Sequence, residues 1–152
     1  MPDDKELMRK AIELALLAEQ EGNLPVGALI TLKSEVIAEG QSAVFVPEFD
    51  ATRHAEMEAI RAVPKNLLKF SSEMSLYTTL EPCLMCFSAI HLHGIGRVVF
   101  GAGDDYGGPG PVLGHLPEFF RERQSAAAWV GPILPEECNP LRERLRKIED
   151  GG

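Results

Sequence analysis

Pro82-Cys83-Leu84-Met85-Cys86 stands between a run of strand formers, Ser75-Leu76-Tyr77-Thr78-Thr79, and a helical stretch, Cys83 to His93, that stops at Gly94. Proline is favoured in the first turn of a helix and glycine just past its end, so the run marks a strand-to-helix junction. Arg97-Val98-Val99-Phe100 follows at once as a short buried-strand pattern. Strand, helix and strand in close succession require a crossover and two parallel strands, which makes the chain α/β and layers helices on a sheet.

The rest of the pattern agrees. Leu7, Met8, Ala11, Ile12, Ala15 and Ala18 recur at helical steps, with Asp3 or Asp4 as N-cap and Gly22 as the stop. Pro25 to Leu32 and Val36-Ile37-Ala38, split by Lys33-Ser34, predict a hairpin. A helix from His54 to Val63 must end before Pro64. Asp104 to Gly114 is rich in Gly and Pro and reads as loop. A short helix at Glu118 to Gln124, a strand at Ala126 to Val130 and a last helix at Leu141 to Ile148 follow. With 152 residues, one domain is expected over 1–152, with a core at 5–103 and a divergent part at 104–152. A chain of that length buries about 70% of its unfolded surface and needs no metal merely to fold, so a metal here needs a chemical reason.

Cys83 and Cys86, three apart, put both sulfurs on one face of a helical turn, and the positive helix end favours thiolates. Zinc takes two sulfurs and an imidazole readily. With His54 as third ligand one corner stays open for water, the mark of a catalytic site. Glu56, two residues on and not a ligand, is suited to move the proton of that water, whose pKa the metal lowers to about 7. Two blander readings compete. The pair could be a thioredoxin-like redox motif, which leaves His54-Ala55-Glu56 unexplained. It could also belong to a structural zinc closed by Cys138, His91, His93 or His115. Cys138, after Glu136-Glu137, reads as inert.

His-x-Glu with Pro-Cys-x-x-Cys resembles the zinc-dependent cytidine deaminase superfamily. The likeness is nearest to the branch of bacterial tRNA adenosine deaminases, guanine deaminases and fungal-type cytosine deaminases. Pro25-Val26-Gly27-Ala28, Thr79-Leu80-Glu81 and Ile95 to Gly101 carry it further, over about Met8 to Gly103. The resemblance implies a three-layer α/β/α sandwich on a mixed five-stranded sheet. It implies zinc held by His54, Cys83 and Cys86, and Glu56 as proton shuttle. The reaction it implies replaces an exocyclic amine on a heterocycle by a carbonyl, with release of ammonia. Gln41 follows Gly40 where relatives commonly carry Asn to hold the base, and Arg53 precedes the histidine as an added cation. Gln41, Arg53, Ala55 and Pro82 are the expected substrate contacts.

The sequence holds 23 acidic and 15 basic residues, a net charge of −8, and such a field repels polyanions. The expected substrate is therefore a free nucleobase, nucleoside or related amino-heterocycle, as in guanine or cytosine deaminases, with nucleic acid disfavoured. Wobble adenosine deamination in tRNA is the alternative, and it requires a basic patch at the site mouth. A zinc-stabilised binding module without turnover is the alternative from another class. Arg142, Arg144, Arg146 and Lys147 alternate with Glu143 and Glu149 and read as a solvated helix face. Three cysteines, an acidic start and no long apolar run point to the cytoplasm, without membrane contact, and the resemblance implies a homodimer.

Overall fold

A computed structural model describes residues 1–151. Helix α1 (Asp4–Gln20) starts where the Asp3 carboxylate accepts the Glu6 N–H at 2.9 Å, an N-cap bond. Strands β1 (Gly27–Leu32) and β2 (Glu35–Gln41) form the expected hairpin, in which Lys33 and Ser34 take φ of +53° and +67°. Two positive-φ residues give the turn whose twist matches the strands. Helix α2 (Ala55–Ala62) stops ahead of Pro64, as the proline requires. A 3-10 segment, Lys65–Glu73, then runs where the sequence shows only a polar stretch; its Leu67 and Leu68 pack on the core.

Strand β3 (Met74–Leu80), helix α3 (Leu84–His93) and strand β4 (Arg97–Ala102) form the crossover, and β3 and β4 pair in parallel. Gly94 ends α3 with φ +72°, the left-handed cap that a residue with a Cβ resists. Past a 3-10 turn at Gly110–His115 come α4 (Glu118–Ala126), β5 (Ala128–Val130) and α5 (Pro135–Gly151). The last helix starts six residues earlier than its apolar pattern predicts and contains Pro140. Buried Cys138, Leu141 and Leu145 anchor it on both sides of that proline.

The sheet order is β2-β1-β3-β4-β5, with β1 antiparallel to β2 and β3, and β4 parallel to β3 and β5. Strand alternation sends Ala28, Ile30, Leu76 and Val98 to one face, against α2 and α3, and Leu29, Tyr77 and Val99 to the other, against α1 and Cys138 of α5. The mixed five-stranded α/β/α sandwich is as expected. Gly40 of β2 lies against the α2 backbone at Ala55 and Ala59, where a Cβ would collide, so the helix that carries the site sits close on the sheet. Among the described residues no helix is long and apolar enough to cross a membrane.

Candidate active site

His54 is the N-cap of α2 and Cys83 the N-cap of α3, with Cys86 in the following turn, so two helix N-termini converge on one point. His54 Nδ1 lies 3.6 Å from Cys83 Sγ and 3.5 Å from Cys86 Sγ, and all three ligand atoms fall within 4.8 Å of one another. Bonds of about 2.3 Å to sulfur and about 2.05 Å to nitrogen at a tetrahedral angle give an N···S edge of about 3.5 Å. The donor set therefore fits zinc.

Among the described residues no other His, Cys, Asp or Glu joins the cluster. Cys138 is buried in the cluster that packs α1 on the sheet, and burial, with Glu137 adding, pushes its thiol up to about 11. That makes it inert, although burial rather than its acidic neighbours is the main reason. His91 is buried between Phe87 and Trp129, and His93 rests on the Ala89 carbonyl at 2.8 Å. The closing ligand that a structural zinc needs is not supplied by these residues.

Charge in the site follows from its sharing of protons. The Cys86 thiol and His54 hold Cys83 down to about 4, whereas the Cys83 sulfur and burial push Cys86 far up. Hydrogen bonding to Cys83 also raises His54. Without metal the negative charge of the cluster sits on Cys83, with the Cys86 thiol and His54 stabilising it. Glu56, 3% exposed, is pushed up to about 7 by burial, against the pull of its own backbone N–H and of His54.

His54, Ala55, Glu56 and Cys83 line one cavity of about 200 Å³ with Leu24, Val26, Ser42 and Leu80. Glu81, Asp104, Tyr106, Gly107, Leu145 and Glu149 complete its wall, so α5 contributes to it through Leu145 and Glu149. Pro82 is buried and sets the strand-to-helix junction without lining the cavity. Gln41 and Arg53 are not brought to it. Gln41 donates to Glu21 at 2.8 Å, Arg53 pairs with Glu58 at 2.8 Å, and both line a neighbouring cleft of about 540 Å³. Ser42 reaches the cavity instead, with its hydroxyl buried and unpartnered. Strand alternation carries the signal: Ala38, Gly40 and Ser42 turn inward while Glu39 and Gln41 turn out.

The pattern for the cytidine and deoxycytidylate deaminase zinc-binding region matches residues 1–102. The chain is 37% identical over 142 residues to the tRNA-specific adenosine deaminase of Bacillus subtilis, which covers 93% of this chain and 87% of that protein. A solved structure from work on A-to-I editing by tRNA:A34 deaminases superposes with a TM-score of 0.69 at 26% identity, over 89% of this chain and 97% of that one. The guanine deaminase of Nitrosomonas europaea superposes at 0.72 with 22% identity, over 96% of this chain and 86% of that one, a likeness of fold alone. The tRNA-enzyme relatives overturn two expectations, a free amino-heterocycle as substrate and nucleic acid as a disfavoured partner. The charge argument failed because −8 is a sum over the molecule. It does not register where single cations stand, such as Arg142 and Lys147, which share a groove beside the cavity with Asp105 and Glu143. The zinc donor set, the open cavity and the match over two thirds of the sequence converge: this chain belongs to the cytidine and deoxycytidylate deaminase zinc-binding family of hydrolytic deaminases.

Proposed function

We propose that this protein deaminates adenosine in tRNA to inosine, at the wobble position. The observation that carries the reading is its identity of 37% over 142 residues with a tRNA-specific adenosine deaminase. The cavity is compatible with it, since about 200 Å³, a volume of about seven waters, has room for one ring system such as a base presented from an RNA loop.

His54, Cys83 and Cys86 would hold the zinc, which when bound supplies Lewis-acid polarisation and makes water a nucleophile near neutral pH. The residues of the chain do the rest. Deamination adds water across the C6–N1 bond of the purine, breaks the bond from C6 to its amine, and leaves a carbonyl and ammonia. Glu56 takes a proton from the water and gives it to N1, then carries a second to the departing amine, so it ends as it began. Burial raises the Glu56 carboxyl toward neutrality, the direction that suits a group which must both accept and donate a proton. Ala55, Val26 and Leu24 offer apolar contact to the ring, and the unpartnered Ser42 hydroxyl meets its polar edge. The same reading treats residues 1–152 as one domain, since α5 both packs on the sheet and lines the cavity. It places the chain in the cytoplasm, where the three free thiols stay reduced. A homodimer belongs to it as well, with exposed Leu84 and Leu92 of α3 as apolar groups for a second copy to cover.

Zinc-loaded protein is incubated with an anticodon stem-loop RNA, and inosine is measured by mass spectrometry beside ammonia release from free adenosine, guanine and cytosine. Inosine in the RNA supports the reading. Turnover of a free base with none in the RNA overturns it.

A further inference from the structure

Tyr106 stands at the seam between two hollows. It lines the cavity of the candidate active site, and it lines a shallow groove of about 660 Å³ between the loop from Gly103 to Tyr106 and α5. Tyr106 is 78% exposed, yet it is held. The Asp104 carboxylate accepts the backbone N–H of Tyr106 at 3.0 Å and of Gly107 at 3.1 Å. Arg146 pairs with the same carboxylate and lays its guanidinium 4.6 Å from the Tyr106 ring centroid. Asp104 is anchored in turn, because its N–H donates to Glu81, whose other oxygen accepts the Trp129 indole N–H at 2.9 Å. An aromatic ring braced on one face and open on the other is a stacking surface whose ordering cost is already met in the free protein.

The groove beyond it carries Arg142, Arg146 and Lys147 with Asp105 and Glu143; Arg146 is paired with Asp104, so the cations it offers a ligand are Arg142 and Lys147. Arg142 donates to the Gly103 carbonyl at 2.7 Å, a neutral partner that leaves its charge available. An aromatic face beside cations is the combination that binds single-stranded nucleic acid, the ring taking a base and the cations the phosphate.

Resting on the tRNA reading above, we propose that the open face of Tyr106 is a stacking platform for the base next to the reactive adenosine in the RNA loop, with Arg142 and Lys147 taking the adjoining phosphate. The cavity is filled by one ring, and the platform shares its rim, so the occupant is the immediate neighbour in the strand.

The test uses zinc-loaded parent, Tyr106→Ala and Tyr106→Phe, matched for melting temperature and zinc content. The substrates are an anticodon stem-loop and two versions lacking the base immediately 5′ or 3′ of the adenosine. On the intact loop Tyr106→Ala should raise KM about tenfold and Tyr106→Phe by less than about twofold, the scale of one base stacked on an aromatic. Removing the correct flanking base should cost the parent the same factor and cost Tyr106→Ala nothing more. 2-Aminopurine at that position should lose fluorescence on binding the parent and keep it with Tyr106→Ala. Equal KM for parent and Tyr106→Ala on the intact loop overturns the proposal, as does a Tyr106→Ala loss that persists in full on both abasic loops. If the parent makes no inosine from any loop, the tRNA reading itself fails and the platform falls with it.

Discussion

A carboxylate buried beside two sulfurs is costly to keep, and Glu56 is worth that cost only where a proton must move. Glu56→Gln keeps the shape and removes the base. Inosine formation should fall about 10²- to 10⁴-fold while zinc content, read by elemental analysis, stays at the parent level. Unchanged turnover would remove Glu56 from the mechanism. Ser42 poses the opposite trade. Its buried hydroxyl has no partner, so Ser42→Ala should stabilise the fold by about 1 kcal/mol in urea titrations and raise KM about fivefold. A gain in stability with KM unmoved would show that the hydroxyl does not meet the substrate. The three donors also predict how zinc is held. In the metal-free site Cys86 is pushed far up and keeps a proton that the metal must expel, and His54 is shifted upward as well, so affinity should weaken by about tenfold or more for each pH unit lost below neutrality. Chelator competition at pH 6, 7 and 8 measures the slope, and a flat profile excludes this proton inventory.

Elements reach the site through close approach. Gly40 lets α2 lie directly on β2, and α2 carries His54 at its N-terminus and Glu56 in its first turn. Gly40→Ala should therefore cost about 1–3 kcal/mol of stability and loosen zinc, whereas Gly110→Ala, with open space around it, should change neither. Thermal melts and zinc dissociation rates compare the two, and equal behaviour would mean that α2 can shift without moving its ligand. Elements with a clean period were legible before the fold was known: α1 from its apolar steps, the hairpin from its turn, α3 from its proline and glycine. The 3-10 segment Lys65–Glu73 was not, because its Leu67 and Leu68 anchors lack a repeating pattern. The first part of α5 was hidden by Pro140, and long-range burial of Cys138 carries the helix through. That helix then closes the cavity through Leu145 and Glu149, a role no local signal announces.

For the whole molecule, Asp4 ties α1 to the sheet: it accepts two bonds from Arg97 of β4 and one from Tyr77 of β3 at 2.6 Å. The Arg97 hydrogen bond holds the Asp4 carboxyl below its ordinary 3.8, and burial pushes Tyr77 up to about 12. Asp4 is depressed in the folded state, so its contribution is full above 3.8 and is lost as the pH falls toward its folded pKa. Tyr77 is raised, so its contribution is full below about 10 and is lost as the pH rises toward about 12. Urea midpoints should be flat with respect to these two groups from about pH 5 to 9 and fall on both sides. Asp4→Asn should lose about 1 kcal/mol on the plateau, since the pair is one-third exposed, and its acid limb should be shallower. An acid limb identical to the parent's would rule this pair out. Sequence by itself determined the residue types, the helical and strand periods, and the Cys-x-x-Cys placed where a helix begins, because these depend on neighbours within about one turn. Tertiary structure alone decided the distances at which His54, 29 and 32 residues away, meets both sulfurs, that Ser42 rather than Gln41 faces the cavity, and that the groove of Arg142 and Lys147 lies beside it. Those outcomes rest on which faces pack together, and packing joins residues whose separation along the chain carries no record of it.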